Sequence, residues 1–121
     1  MLNNDKPIFQ QIMEMIEDDI ISGTYQVDDI IISTTQISKL LSVNPTTSVK
    51  AVSNLTEEGI LYKKRGIGMC VTDGARDKIL NRRKKIFFEE AVPELLTEAD
   101  KLGISEAELI QTIRKEKEHN D

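Results

Sequence analysis

The sequence has no tryptophan, and only 4% of its residues are aromatic. Single-stranded nucleic acids are gripped by stacking bases on aromatic side chains, so that mode of binding is disfavoured. Cys70 is the sole cysteine, which excludes an internal disulfide and fits a reducing cytosol. His119 is the sole histidine and lies in a charged tail. Neither a Cys–His dyad nor a Cys-rich zinc site can therefore be assembled within one chain, and no metal or other cofactor is expected. Apolar runs stay as short as Ile30-Ile31-Ile32, far below the roughly 18 residues of a membrane span. The polar N-terminus has no signal-peptide pattern. A cytoplasmic protein without membrane contact is the expectation. Gly66-Ile67-Gly68 reads as a turn and not a phosphate loop, because no GK[ST] follows. Paired acids such as Glu57-Glu58 and Glu89-Glu90 are commonplace on helix surfaces, so no catalytic residue is assigned and no enzyme is expected.

What is present points to duplex DNA. The 121 residues suit one domain, or a small reading domain with an appendage. The net charge of −5 argues against a nucleic-acid binder. Attraction acts locally, however, within a Debye length of about 8–10 Å. The cations are clustered as Lys63, Lys64 and Arg65 and again as Arg82, Arg83, Lys84 and Lys85, away from acids such as Asp18, Asp19, Asp28 and Asp29.

The decisive stretch runs from Ser33 to Val71. It predicts a short helix over 34–41 burying Ile37, Leu40 and Leu41, a turn at Ser42-Val43 with Val43 as a core plug, and a second helix. Asn44-Pro45 starts that helix, since Asn accepts from orphan N–H groups and Pro fits the first helical position. Gly59 stops it. Ser48, Val52 and Leu55 fall on one face with Ala51 and Val49 flanking, while Thr46, Thr47, Lys50, Ser53 and Asn54 turn mostly outward. A short polar face beginning at a positive helix end suits a DNA major groove. Strands over 60–63 and 68–72 follow, with Lys64-Arg65-Gly66-Ile67 as the turn between them. A cationic hairpin beside such a helix is a wing that can reach phosphates or a minor groove.

The run SVNPTTSVKAVSNLTEEGILYKKRGIGMCV resembles the winged helix-turn-helix of GntR-type bacterial transcriptional regulators. The likeness lies in VNPTT, Lys50-Ala51, Leu55, EEGIL and the wing KKRGIGMCV, and it covers residues 7 to 74. The short remainder is similar to the YtrA subfamily in particular. The resemblance implies a mainly α fold with a small β-wing: a winged helix-turn-helix DNA-binding domain over 1–74, then a short helical dimerisation region over 75–121, too small for the ligand pocket of larger relatives but open to a small-molecule effector between protomers. It also implies repression of transcription. Two departures remove cations, Thr35 and Val49, where relatives place Arg. The candidate DNA-binding residues are Ser33, Thr34, Thr35, Asn44, Pro45, Thr46, Thr47, Ser48, Lys50, Lys64, Arg65 and Gly66, with base reading resting on Thr46, Thr47 and Lys50.

Elsewhere, Asp5 and Pro7 predict the start of a first helix with Ile8, Ile12, Met15, Ile16 and Ile20 on one side and Gly23 as its end. Ile30 to Ile32 are expected to pair briefly with the wing strands. Beyond Asp73-Gly74 the chain reads as helical to Glu118, interrupted by Pro93 and Leu102-Gly103 and reopened by Ser105 with Glu108; Glu116 to Asp121 are expected to fray. Phe87, Phe88, Val92, Leu95, Leu96, Leu109, Ile110 and Ile113 form apolar faces that so short a segment cannot cover. Pairing with a second copy covers them and presents two reading helices one DNA turn apart, about 34 Å, on a palindromic site. Arg82 to Lys85 fit either a solvated face or flanking phosphates, and Cys70 either a buried filler or a redox sensor. The acidic total and the two lost arginines keep one alternative open: a winged-helix protein-interaction module that binds no DNA.

Overall fold

The computed structural model describes residues 2–120. Helix α1 (Ile8–Ser22) begins directly after Pro7, and no side chain caps it. Asp5, expected as the cap, instead donates its backbone N–H to Asn3 Oδ1. The lead-in is held by the buried Gln11, whose amide accepts from the Asn3 N–H at 2.9 Å and donates to the Asn3 and Lys6 carbonyls at 2.8 Å. Ile12, Ile16 and Ile20 face the core, and Gly23 ends the helix in the left-handed conformation.

Helix α2 (Thr34–Leu41) opens on a full capping box: Ser33 accepts from the Gln36 N–H, and the Gln36 side chain accepts from the Ser33 N–H. Helix α3 (Pro45–Glu57) opens on Asn44, whose Oδ1 accepts from the Thr46 N–H at 3.0 Å. Between them Ser42 adopts a left-handed φ of 55°, and the Val43 N–H returns to the Ser38 carbonyl. Val43 packs against the core as expected. Leu40 does not: it is 71% exposed, whereas Ile37 one turn earlier is 2% exposed.

After Gly59 the chain forms β1 (Leu61–Lys64), antiparallel to β2 (Gly68–Val71) in the register Leu61↔Val71 and Lys64↔Gly68. The Ile67 N–H donates to the Lys64 carbonyl, and Gly66 has φ 78°, the third-position value that a type II turn demands. The expected third strand is present in short form. Ile30 bridges Cys70, and the Asp28 and Ile31 N–H groups donate to the Val71 and Met69 carbonyls at 2.8 and 2.9 Å.

The chain divides into two compact units, Met1–Asn81 and Arg82–Asp121. The first has one core in which α1, α2, α3 and the strand bases meet through Ile12, Ile37, Ala51, Leu55, Leu61 and Val71. Ala75 and Ile79 belong to that core at 1% and 0% exposure, so the first turns of α4 (Ala75–Ile86) extend the unit past Gly74.

The second unit continues from α4 through a π-helical turn at Phe87–Ala91 into α5 (Val92–Lys101) and α6 (Glu106–Asn120). Proline in a helix collides with the carbonyl four residues back and donates no bond of its own. The widened turn lies immediately before Pro93, and there the Val92 N–H bonds the Phe87 carbonyl. Ser105 Oγ accepts from the Glu108 N–H at 3.2 Å at the head of α6. That helix continues to Asn120, so residues 116–120 are helical where fraying was expected, and Asp121 lies outside the described residues. Among the described residues of this unit only Ala99 is buried. No helix among the described residues is long and apolar enough to cross a membrane.

Candidate nucleic-acid interface

Helix α3 turns 100° per residue. Ser48, Ala51, Val52 and Leu55 form its buried face. Thr46, Lys50 and Ser53 lie on the opposite arc and are exposed, and Thr47 is half-buried beside them. Val49, expected to flank the core, is 50% exposed.

Ser48 leaves the candidate DNA-binding set. It is 0% exposed, and its hydroxyl accepts from Ser38 Oγ at 2.8 Å. The pair joins α2 to α3 inside the helix-turn-helix, so Ser48 holds the two helices together and offers no exposed surface to DNA. Removing either hydroxyl strands its partner. Ser38→Ala and Ser48→Ala should each cost about 1–3 kcal/mol, and the double substitution clearly less than their sum. Urea unfolding of the four proteins measures this; strict additivity would mean the hydroxyls do not interact.

Lys50 is exposed, but its ammonium sits over the Phe9 ring of α1, 4.1 Å from the centroid. Attraction to the ring face steadies this long side chain at the junction of α1 and α3. At the helix starts, the Ser33 hydroxyl and Asn44 Oδ1 serve as caps, and Asn44 Oδ1 also accepts from Thr46 Oγ1 at 2.8 Å. Thr35 and Pro45 are exposed next to these caps, and Thr34 is half-buried. Lys63, Lys64, Arg65 and Gly66 are all exposed at the end of the hairpin. Cys70 is fully buried on the middle strand.

Sequence reasoning missed one feature of the wing. The Tyr62 hydroxyl donates to Asp28 Oδ1 at 2.6 Å, across 34 positions of sequence. No local pattern announces such a pair, although the turn-forming Asp28-Asp29 marks where the chain doubles back. The bond to Asp28, followed by desolvation, raises the Tyr62 pKa from 10.0 to about 12. Because the folded value lies above the ordinary one, the bond's contribution is complete below pH 10 and is lost as pH rises through about 12. In a Tyr25→Phe background, which leaves one phenol, phenolate absorbance should develop near pH 12, and Asp28→Ala should bring it back toward 10. Titration near 10 in both proteins would show that the bond does not form.

The residues expected at a dimer interface all lie in the second unit. Phe88 is 66%, Phe87 55%, Leu96 49%, Ile113 49%, Leu95 46% and Ile110 41% exposed, with Val92 and Leu109 half-buried. Phe87 and Phe88 meet edge to face, with centroids 5.5 Å apart.

A profile of the bacterial regulatory proteins of the gntR family matches residues 8–71. The HTH-type transcriptional repressor YtrA of Bacillus subtilis (strain 168) is 25% identical over 109 residues, spanning 90% of this chain and 83% of that protein. The structure of a GntR family transcriptional regulator from Listeria monocytogenes is 30% identical and superposes with a TM-score of 0.72, covering 94% of this chain and 98% of that one. The DNA-binding domain of AraR, solved in complex with operator ORR3, is 27% identical with a TM-score of 0.53 over 60% of this chain and 89% of that one. The chain belongs to the GntR family of bacterial regulatory proteins, as a YtrA-like, DNA-binding transcriptional regulator built on a winged helix-turn-helix.

Proposed function

We propose that the chain is a non-enzymatic, cytoplasmic repressor that binds a palindromic operator in double-stranded DNA as a homodimer. The supporting observation is the two-faced α3. One side is fully packed through Ala51 and Leu55, while Thr46, Lys50 and Ser53 stand exposed along the other, with Thr46 in the first turn at the helix's positive end. Thr46, Thr47 and Lys50 would read base edges in the major groove. Thr34, Thr35 and Pro45 would lie against the sugar–phosphate backbone, with Ser33 and Asn44 presenting the helix starts to it. Lys64, Arg65 and Gly66 would carry the wing to flanking phosphates or a minor groove. Repression follows the B. subtilis relative, and operator binding has its precedent in the AraR domain.

The homodimer rests on the second unit, whose aromatic and aliphatic side chains stand exposed in one chain. Their burial against a second copy removes apolar surface from water and sets two reading helices on one face of the duplex. The space between the paired units is where a small-molecule effector would bind.

Selection from random duplexes should return a palindrome with two half-sites about one turn apart. On the selected site, Lys50→Ala and Arg65→Ala should each weaken binding by about 1–3 kcal/mol, and Arg65→Ala should also lower the salt slope by about 1. If neither substitution changes binding at any salt concentration, the winged helix serves protein contacts instead.

A further inference from the structure

The wing consists of two four-residue strands, and a hairpin of that size is marginal by itself. Its two strands are anchored unequally. The backbone of β2 bonds β1 on one side and residues 28–31 on the other. The backbone of β1, which leads into Lys64 and Arg65, pairs with β2 alone among the described strands. At their bases Leu61 and Val71 are buried in the core, but beyond them the cationic end projects into solvent.

Tyr62 compensates for this imbalance. It pairs with Cys70, which is itself bridged by Ile30, so the three residues form one row on the same face of the sheet. From the outer strand the phenol reaches across β2 to Asp28. The acceptor is fixed in place, since the Asp28 N–H donates to the Val71 carbonyl. Asp28 also holds a left-handed φ of 69°, a conformation uncommon outside glycine that Asp and Asn tolerate best.

We propose that Tyr62 and Asp28 are positioning residues for DNA binding: their hydrogen bond ties β1 to the connector and so aims Lys64 and Arg65 at the duplex. The proposal rests on the wing reading of Lys64 and Arg65 given above. Neither Tyr62 nor Asp28 touches DNA in it. An acid at this position would repel phosphate if it faced the duplex, and its engagement by Tyr62 gives it a task within the wing.

The test compares Tyr62→Phe in two backgrounds on the selected operator duplex. Phenylalanine keeps the ring on the sheet and removes only the hydroxyl. In the parent protein Tyr62→Phe should lower operator affinity by roughly tenfold, and in a Lys64→Ala/Arg65→Ala background by less than about twofold, because no wing cations remain to be aimed. Hydroxyl-radical footprints of Tyr62→Phe should lose protection at the outer flanks and keep it over the half-sites. Asp28→Asn retains an acceptor and should stay near the parent, while Asp28→Ala should match Tyr62→Phe. An equal loss in both backgrounds, or no loss in the parent, overturns the positioning role. If Lys64→Ala/Arg65→Ala itself binds like the parent, the wing reading fails and the proposal falls with it, a result distinct from the other two.

Discussion

Leu55→Ala is expected to remove about 2–5 kcal/mol from the unfolding free energy of the first unit. That is a large share of the roughly 5–15 kcal/mol by which a domain is stable. Leu55 is 0% exposed in the last turn of α3, within the cluster that includes Ile12 of α1 and Leu61 of β1. The Leu55 carbonyl also accepts the Ile60 N–H, in the bend that sends the chain into the wing. A cavity here loosens the recognition helix from its scaffold and the wing from both. Leu40→Ala is the informative control. Hydrophobic spacing alone places Leu40 inside with Ile37 and Leu41, which would make its loss similarly costly. At 71% exposure it should instead change stability by no more than about 0.5 kcal/mol. Urea unfolding followed by circular dichroism compares the two. Equal losses would mean that α2 packs in a different rotation.

Phe88→Asp combined with Ile113→Asp should convert the proposed homodimer to a monomer and lower operator affinity by on the order of 10²–10⁴-fold. That is the gain two linked binding heads have over one. Phe88 and Ile113 are 66% and 49% exposed in a single chain, so charge at these positions leaves the fold of one protomer intact. The cost falls on association, where each carboxylate would have to leave water for an apolar contact. Sedimentation equilibrium gives the mass, and operator titration gives the affinity. Thermal unfolding of the first unit should be unchanged, which separates lost pairing from lost folding. A doubly substituted protein that remains dimeric, or a monomer that binds the full palindrome as tightly as the parent, would refute self-association through this surface.

Much of the first unit was legible because its signals are local. Asn44 with Pro45 and the glycines at 59 and 66 each act through bonds or backbone angles within a few residues, and each lies where sequence reasoning placed it. The failures share a different origin. Periodicity assigns an angle around a helix but not how wide an arc its neighbours cover. Over the eight residues of α2 the covered arc takes in Ile37 and leaves out Leu40. On α3 it takes in Ser48, a polar residue that sequence reasoning also offered to DNA, because Ser38 of the preceding helix supplies a partner at that depth.

Sequence by itself determined the order of the elements, the Asn44 cap of α3, the hairpin turn, the outward polar side of α3 and the cationic end of the wing. All of these follow from chemistry between near neighbours. Tertiary structure alone decided that Ser48 is a fastener between helices, that Lys50 rests on Phe9, that Ala75 and Ile79 complete the first core, and that Tyr62 grips Asp28. Each of these joins residues from separate elements. Such pairs meet only when the whole set of elements has packed, so no short window of sequence contains the forces that select them.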